Sequence, residues 1–186
     1  YNFFPNETGG VIDDLIVYQL SPNDYMLVVN AANIEKDWKW LEQQKKGFDV
    51  QLEDLSDKTI LLAVQGPKAI ESLQSLTDVS LKEIAYYSHQ QGTFADCESV
   101  VIANTGYTGS GGVELYFDKK YASTIWNEIL IIGAKPIGLA ARDTLRLEMG
   151  YCLYGNELND NSSPIAAGLG WVTKPETHCL LYTSPS

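Results

Sequence analysis

The chain has 186 residues, of which 45% are hydrophobic and 20% are charged, a composition typical of one or two globular domains. Thirteen Lys and Arg stand against 24 Asp and Glu, which gives a formal net charge of -11. This excess of acids argues against duplex nucleic acid or an anionic membrane as a partner, because both require a basic surface. No apolar run approaches the roughly 18 residues that span a bilayer.

The first part of the chain predicts a pair of strands followed by a helix. Alternating and branched apolar residues indicate strands at 10–20 and 24–30, joined by a turn that contains Pro22 and Asn23. An apolar stripe of Ile34, Trp38 and Leu41 then predicts an amphipathic helix over 33–46.

The middle of the chain predicts a second pair of strands with a short helix. Residues 48–55 and 59–65 are apolar segments on either side of a polar turn, and we expect both to be strands. Gly66 and Pro67 then open a predicted helix that ends near Leu76, with Pro67 at its first position.

The remaining elements complete an α+β pattern. Three strands are predicted at 91–96, 98–104 and 113–117, and two helices at 120–132 and 139–149. Residues from 150 onward are predicted to be loops. Strands in adjacent pairs with helices between them indicate an α+β fold with mostly antiparallel sheets and flanking helices.

Two adjacent carboxylates, Asp13 and Asp14, interrupt the apolar run GGVIDDLIV. Successive side chains of a strand point to opposite faces, so each face carries one Asp among aliphatic residues. One interpretation is that they brace a turn and a sheet edge. The other is that one carboxylate lies beside a reacting amine. No His or Cys is placed to complete a nucleophilic dyad, and the ligand spacing of a metal site is absent from the sequence, so neither triad hydrolysis nor a metal site is expected.

The glycine-rich segment TGYTGSGG at 105–112 is similar to phosphate-binding loops but precedes a predicted strand rather than a helix. We therefore expect a tight turn and not a nucleotide site. On the next strand, Glu114 taken alone is interpreted as a solvated residue on the outer face in preference to a ligand contact. In the last helix, Arg142 and Arg146 lie four residues apart, which fits either internal ion pairs or recognition of a planar polar group.

Six ordered segments together resemble the aminomethyltransferase (T-protein) family of the glycine cleavage system. They are GGVIDDLIV, LVVNAANIEKDW, AVQGP, TGYTGSGGVEL, GLAARDTLRLEMGYCLYGNEL and SPIAAGLGW. The resemblance covers nearly all of residues 1–173. It implies the folate-binding T-protein fold, truncated at both ends, with residues 1–173 forming part of two intertwined α+β subdomains. Residues 178–186 depart from the pattern and are expected to be a non-native tail.

The resemblance also implies an enzyme, a transferase in one-carbon metabolism and glycine catabolism. Tetrahydrofolate would be the co-substrate, and the lipoylated H-protein would be the protein partner. Folate N5 would attack the aminomethyl carbon carried by the lipoyl arm, ammonia would leave, and N10 would close the ring. The location expected is the cytoplasm, or the mitochondrial matrix in a eukaryote, and the fragment itself is expected to be inactive if the missing parts are essential.

Matching the family's motifs assigns a role to each candidate residue. Asp13 would be the catalytic carboxylate, with Asp14 structural, and Glu114 and Arg142 would bind the folate. The other expected folate contacts are Tyr1, Asn30, Tyr107 and Tyr87, the last in preference to Tyr86, and for these four core packing is an equal alternative. Two alternatives remain open: the folate-binding domain of an enzyme like dimethylglycine or sarcosine dehydrogenase, and a non-catalytic folate-binding relative.

Overall fold

A computed structural model describes residues 1–174, which form two compact units. Unit 1 comprises Tyr1–Glu53 and the described part of the chain from Cys152 onward, and unit 2 comprises Asp54–Tyr151. The expected non-native tail at 178–186 lies outside the described residues. Within residues 1–174, helices that are both long and apolar enough to cross a bilayer are absent.

Unit 1 contains a three-stranded antiparallel sheet with its longest strand in the centre. Strands β1 (Asn2–Pro5) and β3 (Asp24–Val28) pair with opposite edges of β2 (Val11–Ser21). After β3 a short 3-10 turn at Ala31–Asn33 leads into helix α1 (Ile34–Gln44). The strands form because branched and aromatic residues alternate along them, and β2 reverses into β3 at the polar turn after Ser21.

Strand β2 is buried on both faces over its first half. Val11 and Leu15 point to one face, Ile12 points to the other, and all three are at most 9% exposed. Val11 packs with Leu158 and Leu169 from the last part of the chain. Residues 152–174 contain no helix or strand. A polar side chain on this half of β2 therefore has to find its partners inside the protein.

Unit 2 is built on a four-stranded antiparallel sheet flanked by helices. In chain order its elements are β4 (Thr59–Gln65), α2 (Ala69–Leu73), β5 (His89–Phe94), β6 (Cys97–Ala103), β7 (Gly112–Asp118), α3 (Ala122–Ile131) and α4 (Leu139–Glu148). The strand order in the sheet is β4-β7-β6-β5. Strand β7 is thus inserted between β4 and β6, although it follows both of them in sequence.

Both faces of β7 are buried. On one face Val113, Leu115 and Phe117 join a core that includes Ile125 and Ile129 of α3. The other face is also buried and carries Glu114 and Tyr116, which pair across to Ala103 and Val101 of β6. The carboxylate of Glu114 is therefore enclosed by the sheet instead of facing solvent.

The predicted α+β class with antiparallel sheets is confirmed, and most predicted elements lie within two or three residues of the observed ones. The predicted strand at 48–55 is wrong, because the structure has no strand there and Phe48 and Val50 are 71% and 51% exposed. The prediction that Pro67 opens a helix is also wrong. Gly66 takes a φ of +132° and donates its N–H to Gly111, and α2 starts only at Ala69.

We predict that Leu115→Ala destabilises the protein by about 2–5 kcal/mol, because a fully buried side chain in a central strand leaves a cavity when truncated. The matched control is Leu61→Ala on β4, where the side chain is 43% exposed and the loss should be well under half as large. Urea unfolding of both variants measures the difference. Equal losses would contradict the buried position of Leu115.

Candidate functional site

In unit 1 the carboxylate of Asp13 is fully buried and accepts three hydrogen bonds. Asn30 donates its backbone N–H to Oδ2 at 3.0 Å and its side-chain amide to Oδ1 at 2.9 Å, and Asn33 donates its amide to Oδ1 at 2.6 Å. These donors come from the segment between β3 and α1. Because β3 pairs antiparallel with β2, this segment lies beside the first half of β2. Three N–H donors on one carboxylate satisfy both of its oxygens in the interior.

The neighbouring Asp14 is half-buried and is held by different donors. The Tyr1 hydroxyl donates to Oδ2 at 2.9 Å, and the Asn30 amide donates to Oδ1 at 3.0 Å. Burial raises the pKa of Asp14, and so does the negative charge of Asp13, while the bonds from Tyr1 and Asn30 lower it. Asn30 therefore contacts both acids of the pair, and Asp14 is the more exposed of the two.

A third acid, Asp37 on α1, lies against this pair. Its side chain is 1% exposed, and neither carboxyl oxygen meets a donor N–H or O–H group. Burial raises the pKa of Asp37 to about 8, with further contributions from its hydrogen-bonding contact with Asp13 and from the negative charge of Asp13. Among residues 1–174 there is no group of three His, Cys, Asp or Glu side chains arranged to hold a metal ion.

Lys36 provides positive charge next to the three acids. Its Nζ donates to the carbonyl of Ile12 and, at 2.7 Å, to the hydroxyl of Tyr154, whose ring it also covers at 4.1 Å. Asp160 lies 4.0 Å from the same nitrogen. The ammonium is thus fixed beside β2 by a carbonyl, a phenol and an aromatic face.

In unit 2 the carboxylate of Glu114 is held on one side by hydroxyl groups. Its Oε2 accepts from Thr105 at 2.5 Å and from Tyr116 at 3.3 Å, and the residue is only 7% exposed. The interpretation of Glu114 as a solvated outer-face residue is therefore wrong. Glu114 is buried because other parts of the protein pack over the second face of the sheet, and alternation along the strand does not reveal this packing.

The glycine-rich segment before β7 is tied down by Gln65. The amide of Gln65 donates to the carbonyls of Thr105 and Val113 at 3.2 and 3.0 Å, and its carbonyl accepts from Thr108 at 3.1 Å. A side chain at Gly106 would collide with the Gln65 amide. A strand follows this segment, as predicted. Because Gly106 has no side chain, the Gln65 amide can lie against its backbone and hold Thr105 beside Glu114.

Three predicted site residues of unit 2 meet in one aromatic cluster. The guanidinium of Arg142 lies 4.6 Å from the ring centre of Tyr107, which stacks on Tyr151 at 5.8 Å. Tyr151 is in hydrogen-bonding contact with Tyr86, whose ring packs edge-on against Tyr87 at 4.5 Å. Burial raises the pKa of both Tyr86 and Tyr151.

Tyr87 has a backbone conformation that is unusual for its residue type. Its φ is +60°, in the left-handed region that side chains with a Cβ rarely adopt, and its N–H donates to Asn104 at 3.0 Å. The amide of Asn104 in turn donates to Ile84 at 2.7 Å. These bonds keep the Tyr86–Tyr87 pair in a strained turn, of the kind that is often found at ligand sites.

The two arginines of α4 have different environments. Arg146 is 3% exposed and donates to Asp143 at 2.8 Å and to the carbonyl of Tyr151 at 3.1 Å, which is the internal ion pair considered for this helix. Arg142 is exposed, and its guanidinium lies over the face of Tyr107. Arg142 is thus the arginine of the two that remains accessible to a ligand.

Within each unit the structure brings most of the predicted site residues together, with Glu114 as the exception. Asp13 and Asn30 are in direct contact in unit 1, with Tyr1 on the adjacent Asp14, and Tyr107, Arg142 and Tyr87 share the aromatic cluster of unit 2. Glu114 is held separately by Thr105 and Tyr116.

Sequence reasoning missed Asn33, Lys36 and Asp37. One available signal was that Asp37 lies on the apolar stripe of α1, three residues after Ile34 and four before Leu41. A charged residue inside an apolar stripe is rarely solvated, and it is rarely buried without a partner.

Sequence comparison identifies relatives over almost the whole chain. The family model of the GCVT N-terminal domain matches residues 1–177. The chain is 56% identical over 178 residues to an aminomethyltransferase of Flavobacterium psychrophilum and 58% identical over 179 residues to one of Bacteroides fragilis. Each match covers 94% of this chain and 49% of the relative. The chain therefore spans about half the length of the curated relatives it matches.

Structure comparison agrees. Superposition on the glycine cleavage system aminomethyltransferase T of Bartonella henselae gives a TM-score of 0.81 at 35% identity, covering 92% of this chain and 46% of that one. The heterotetrameric sarcosine oxidase of Corynebacterium sp. U-96, solved with pyrrole 2-carboxylate, matches with a TM-score of 0.50 at 18% identity over 72% of this chain and 66% of that one. This second similarity concerns the fold alone. On these grounds the chain belongs to the aminomethyltransferase family of the glycine cleavage system and carries its GCVT N-terminal domain.

Proposed function

We propose that the full-length protein transfers the methylene group of aminomethyl-lipoyl H-protein to tetrahydrofolate and releases ammonia. Residues 1–173 would be part of its folate-binding region. The observation that carries this proposal is the acid pair on β2, where amide and hydroxyl donors fix the orientation of the Asp13 and Asp14 carboxylates. The names and identities of the relatives support the same reaction.

The acid pair suits a reaction in which positive charge develops on nitrogen. Folate supplies the amine that accepts the one-carbon unit, and ammonia departs from the same carbon. A carboxylate whose orientation is fixed before the reaction stabilises such charge without reorganising. Asn30 holds both Asp13 and Asp14 by its side-chain amide, so the two carboxylates keep their orientation together.

Exposure bears on which acid of the pair meets the substrate. Asp13 is 0% exposed and Asp14 is half-buried, so a bound amine in this arrangement would reach Asp14 more readily. Asp13 remains the residue that the family motif assigns as catalytic. The two assignments give different results when each acid is neutralised separately.

Glu114 fits the proposed role of binding the pterin. A pterin ring presents an amino group and a ring N–H side by side, and a carboxylate accepts two such parallel donors. The hydroxyls of Thr105 and Tyr116 both donate to Oε2 and so restrain the orientation of the carboxylate. Glu114 is only 7% exposed, so the carboxylate is shielded from solvent. This shielding strengthens hydrogen bonds to a ligand.

The aromatic cluster of unit 2 fits contact with a flat or anionic group. Tyr107, Tyr87 and Arg142 combine ring faces with a guanidinium, which stacks on aromatic groups and pairs with carboxylates. We propose that Arg142 binds the folate through a pterin acceptor or through its glutamyl carboxylate. Arg142 is exposed and rests on Tyr107, so its position is restrained before a ligand arrives.

The alternative is a folate-binding domain that receives its one-carbon unit from a flavin site, as in dimethylglycine or sarcosine dehydrogenases. The fold similarity to a sarcosine oxidase is compatible with it, but identity to that protein is only 18%. Identities of 56–58% to aminomethyltransferases favour the glycine cleavage reaction. A flavin-binding domain in the full-length reading frame would reverse this preference.

We predict that Asp13→Asn slows methylene transfer by about 10²–10⁴-fold, the usual contribution of a positioned acid or base. Asp14→Asn should slow the reaction much less if Asp14 is structural. Single-turnover production of methylene-tetrahydrofolate from aminomethyl-loaded H-protein measures both rates in the full-length protein.

The control for these two variants is Asp24→Asn, which removes an exposed carboxylate at the start of β3. Circular dichroism confirms that each variant is folded. Normal turnover in Asp13→Asn together with a severe loss in Asp14→Asn would transfer the catalytic role to Asp14. Normal turnover in both would remove the acid pair from the reaction.

We also predict that Glu114→Gln weakens tetrahydrofolate binding by about tenfold to a hundredfold, because a buried charge-assisted hydrogen bond is lost. Glu98→Gln on the neighbouring strand β6 is the matched control, because Glu98 is exposed and its charge loss is the same. Isothermal titration with tetrahydrofolate provides the two dissociation constants. Equal affinities would exclude Glu114 from the folate site.

A further inference from the structure

Asp37 is a buried acid to which no donor group is directed. Both of its oxygens lack a donor N–H or O–H partner, although the side chain is 1% exposed. A buried ionised carboxylate without donors would be strongly unfavourable. The side chain must therefore be neutral, or a donor must be found among the groups that touch it.

The side chain of Asp37 is in hydrogen-bonding contact with the carboxylate of Asp13. Two carboxylate oxygens repel each other unless a hydrogen atom lies between them. Asp13 already accepts three N–H groups from Asn30 and Asn33, and an N–H can only donate. The hydrogen between the two acids is therefore best assigned to Asp37.

We propose that Asp37 is a protonated carboxylic acid that donates its O–H to the carboxylate of Asp13 and acts as a positioning residue for it. Asp13 then accepts a fourth hydrogen bond, from a direction that the two asparagines do not cover. Asp37 gains the partner that its oxygens otherwise lack. No side chain in this arrangement is left as an unpaired charge in the interior.

The surrounding charges are consistent with this proton. From β2, Asp13 and Asp14 both face Asp37 with negative charge, and each raises its pKa. From α1 itself, Lys36 lowers the pKa of Asp37, but its ammonium is also engaged by Ile12 and Tyr154. Burial is the largest influence, and the pKa of Asp37 reaches about 8. The acid is therefore mainly protonated at neutral pH.

The expected effect of Asp37 on turnover rests on the proposed function. The proton between Asp37 and Asp13 does not depend on that function. If Asp13 takes part in the reaction, the Asp37 hydrogen bond fixes its orientation and keeps its negative charge available. Ionisation of Asp37 would break this bond and place a second buried negative charge beside Asp13. We therefore expect an alkaline limit to turnover that belongs to Asp37.

Infrared spectroscopy detects the proton directly in the full-length protein, because a protonated carboxyl group absorbs apart from a carboxylate. We predict a protonated-acid band at neutral pH that disappears with a midpoint at about 8 and is missing in Asp37→Asn. In Asp13→Asn the midpoint should move to lower pH, because the repelling charge is gone. Glu35→Gln, on the exposed side of α1, should leave the band unchanged.

Three results would overturn the proposal. They are the absence of a band in the wild-type protein at neutral pH, a band that survives in Asp37→Asn, and a band that is lost in Asp13→Asn at every pH. The last result would assign the proton to Asp13. Because the wild-type titration and the Asp13→Asn titration need no Asp37 variant, the proposal stays testable even if Asp37→Asn does not fold.

Stability provides a second test with a defined sign. Folding raises the pKa of Asp37 from 3.8 to about 8, so the folded protein binds a proton that the unfolded chain has released. Its stabilising effect is complete below the unfolded pKa and is lost as the pH rises through the folded pKa. The unfolding equilibrium constant should rise up to about tenfold per pH unit in this window, or about 1.4 kcal/mol.

Asp37→Asn should remove this pH dependence, and Glu35→Gln should retain it. Chemical unfolding between about pH 5 and pH 8 compares the three proteins. In turnover assays Asp37→Asn, whose amide can still donate to Asp13, should retain more activity than Asp37→Ala and should lack the alkaline limit. Identical stability slopes in wild type and Asp37→Asn would contradict the proton, while identical turnover in all variants would contradict only the link to the reaction.

Discussion

The hydrogen bonds that Asn30 donates to Asp13 and Asp14 are the interaction on which the polar cluster of unit 1 depends. The first half of strand β2 is buried on both faces, and two adjacent carboxylates there would repel each other and lose their hydration. Asn30 and Asn33, which follow β3 in the chain, supply the hydrogen bonds that replace this hydration. The hairpin to β3 returns across β2, and the short 3-10 turn at Ala31–Asn33 leaves Asn30 and Asn33 with their amides directed at the acids.

Unit 2 meets the same constraint with different groups. Glu114 lies on a strand whose two faces are both covered, and hydroxyl donors take the place of amides. Thr105 can reach Glu114 because Gln65 fixes the glycine-rich segment through two hydrogen bonds, with Thr105 and Thr108, and donates a third to Val113 of β7. In both units, then, a buried carboxylate is kept in one orientation by fixed donors, which in unit 1 come from the connection between β3 and α1 and in unit 2 come from Thr105 and from Tyr116 of β7 itself. This is the preorganisation that electrostatic catalysis and tight ligand recognition both require.

Sequence periodicity predicts most of this fold, because apolar alternation and helical stripes reflect local burial. It fails at 48–55, where an apolar segment has no neighbouring strand and stays exposed, and at Pro67, where the bond from Gly66 to Gly111 delays the helix. It also places Asp13 and Asp14 on opposite faces without revealing which amides meet them. The burial of Glu114 could not be predicted, since it depends on what covers the second face of the sheet. Asp37 was also missed, although its position on the apolar stripe of α1 was a signal that the sequence contained.

The charge balance of the unit 1 cluster connects its structure with the proposed chemistry. With Asp13, Asp14 and Asp37 all ionised, three negative charges would lie close together, and two of them would be fully enclosed. A proton on Asp37 removes one of these charges and turns a repulsive contact into a hydrogen bond. The cluster as proposed still carries an excess of negative charge, because Asp13, Asp14 and the Asp160 carboxylate 4.0 Å from Lys36 outnumber its ammonium. This negative charge would stabilise the positive charge that develops on nitrogen in the proposed reaction. The proton on Asp37 thus lowers the cost of burying the acids and still leaves a net negative charge beside the reacting amine.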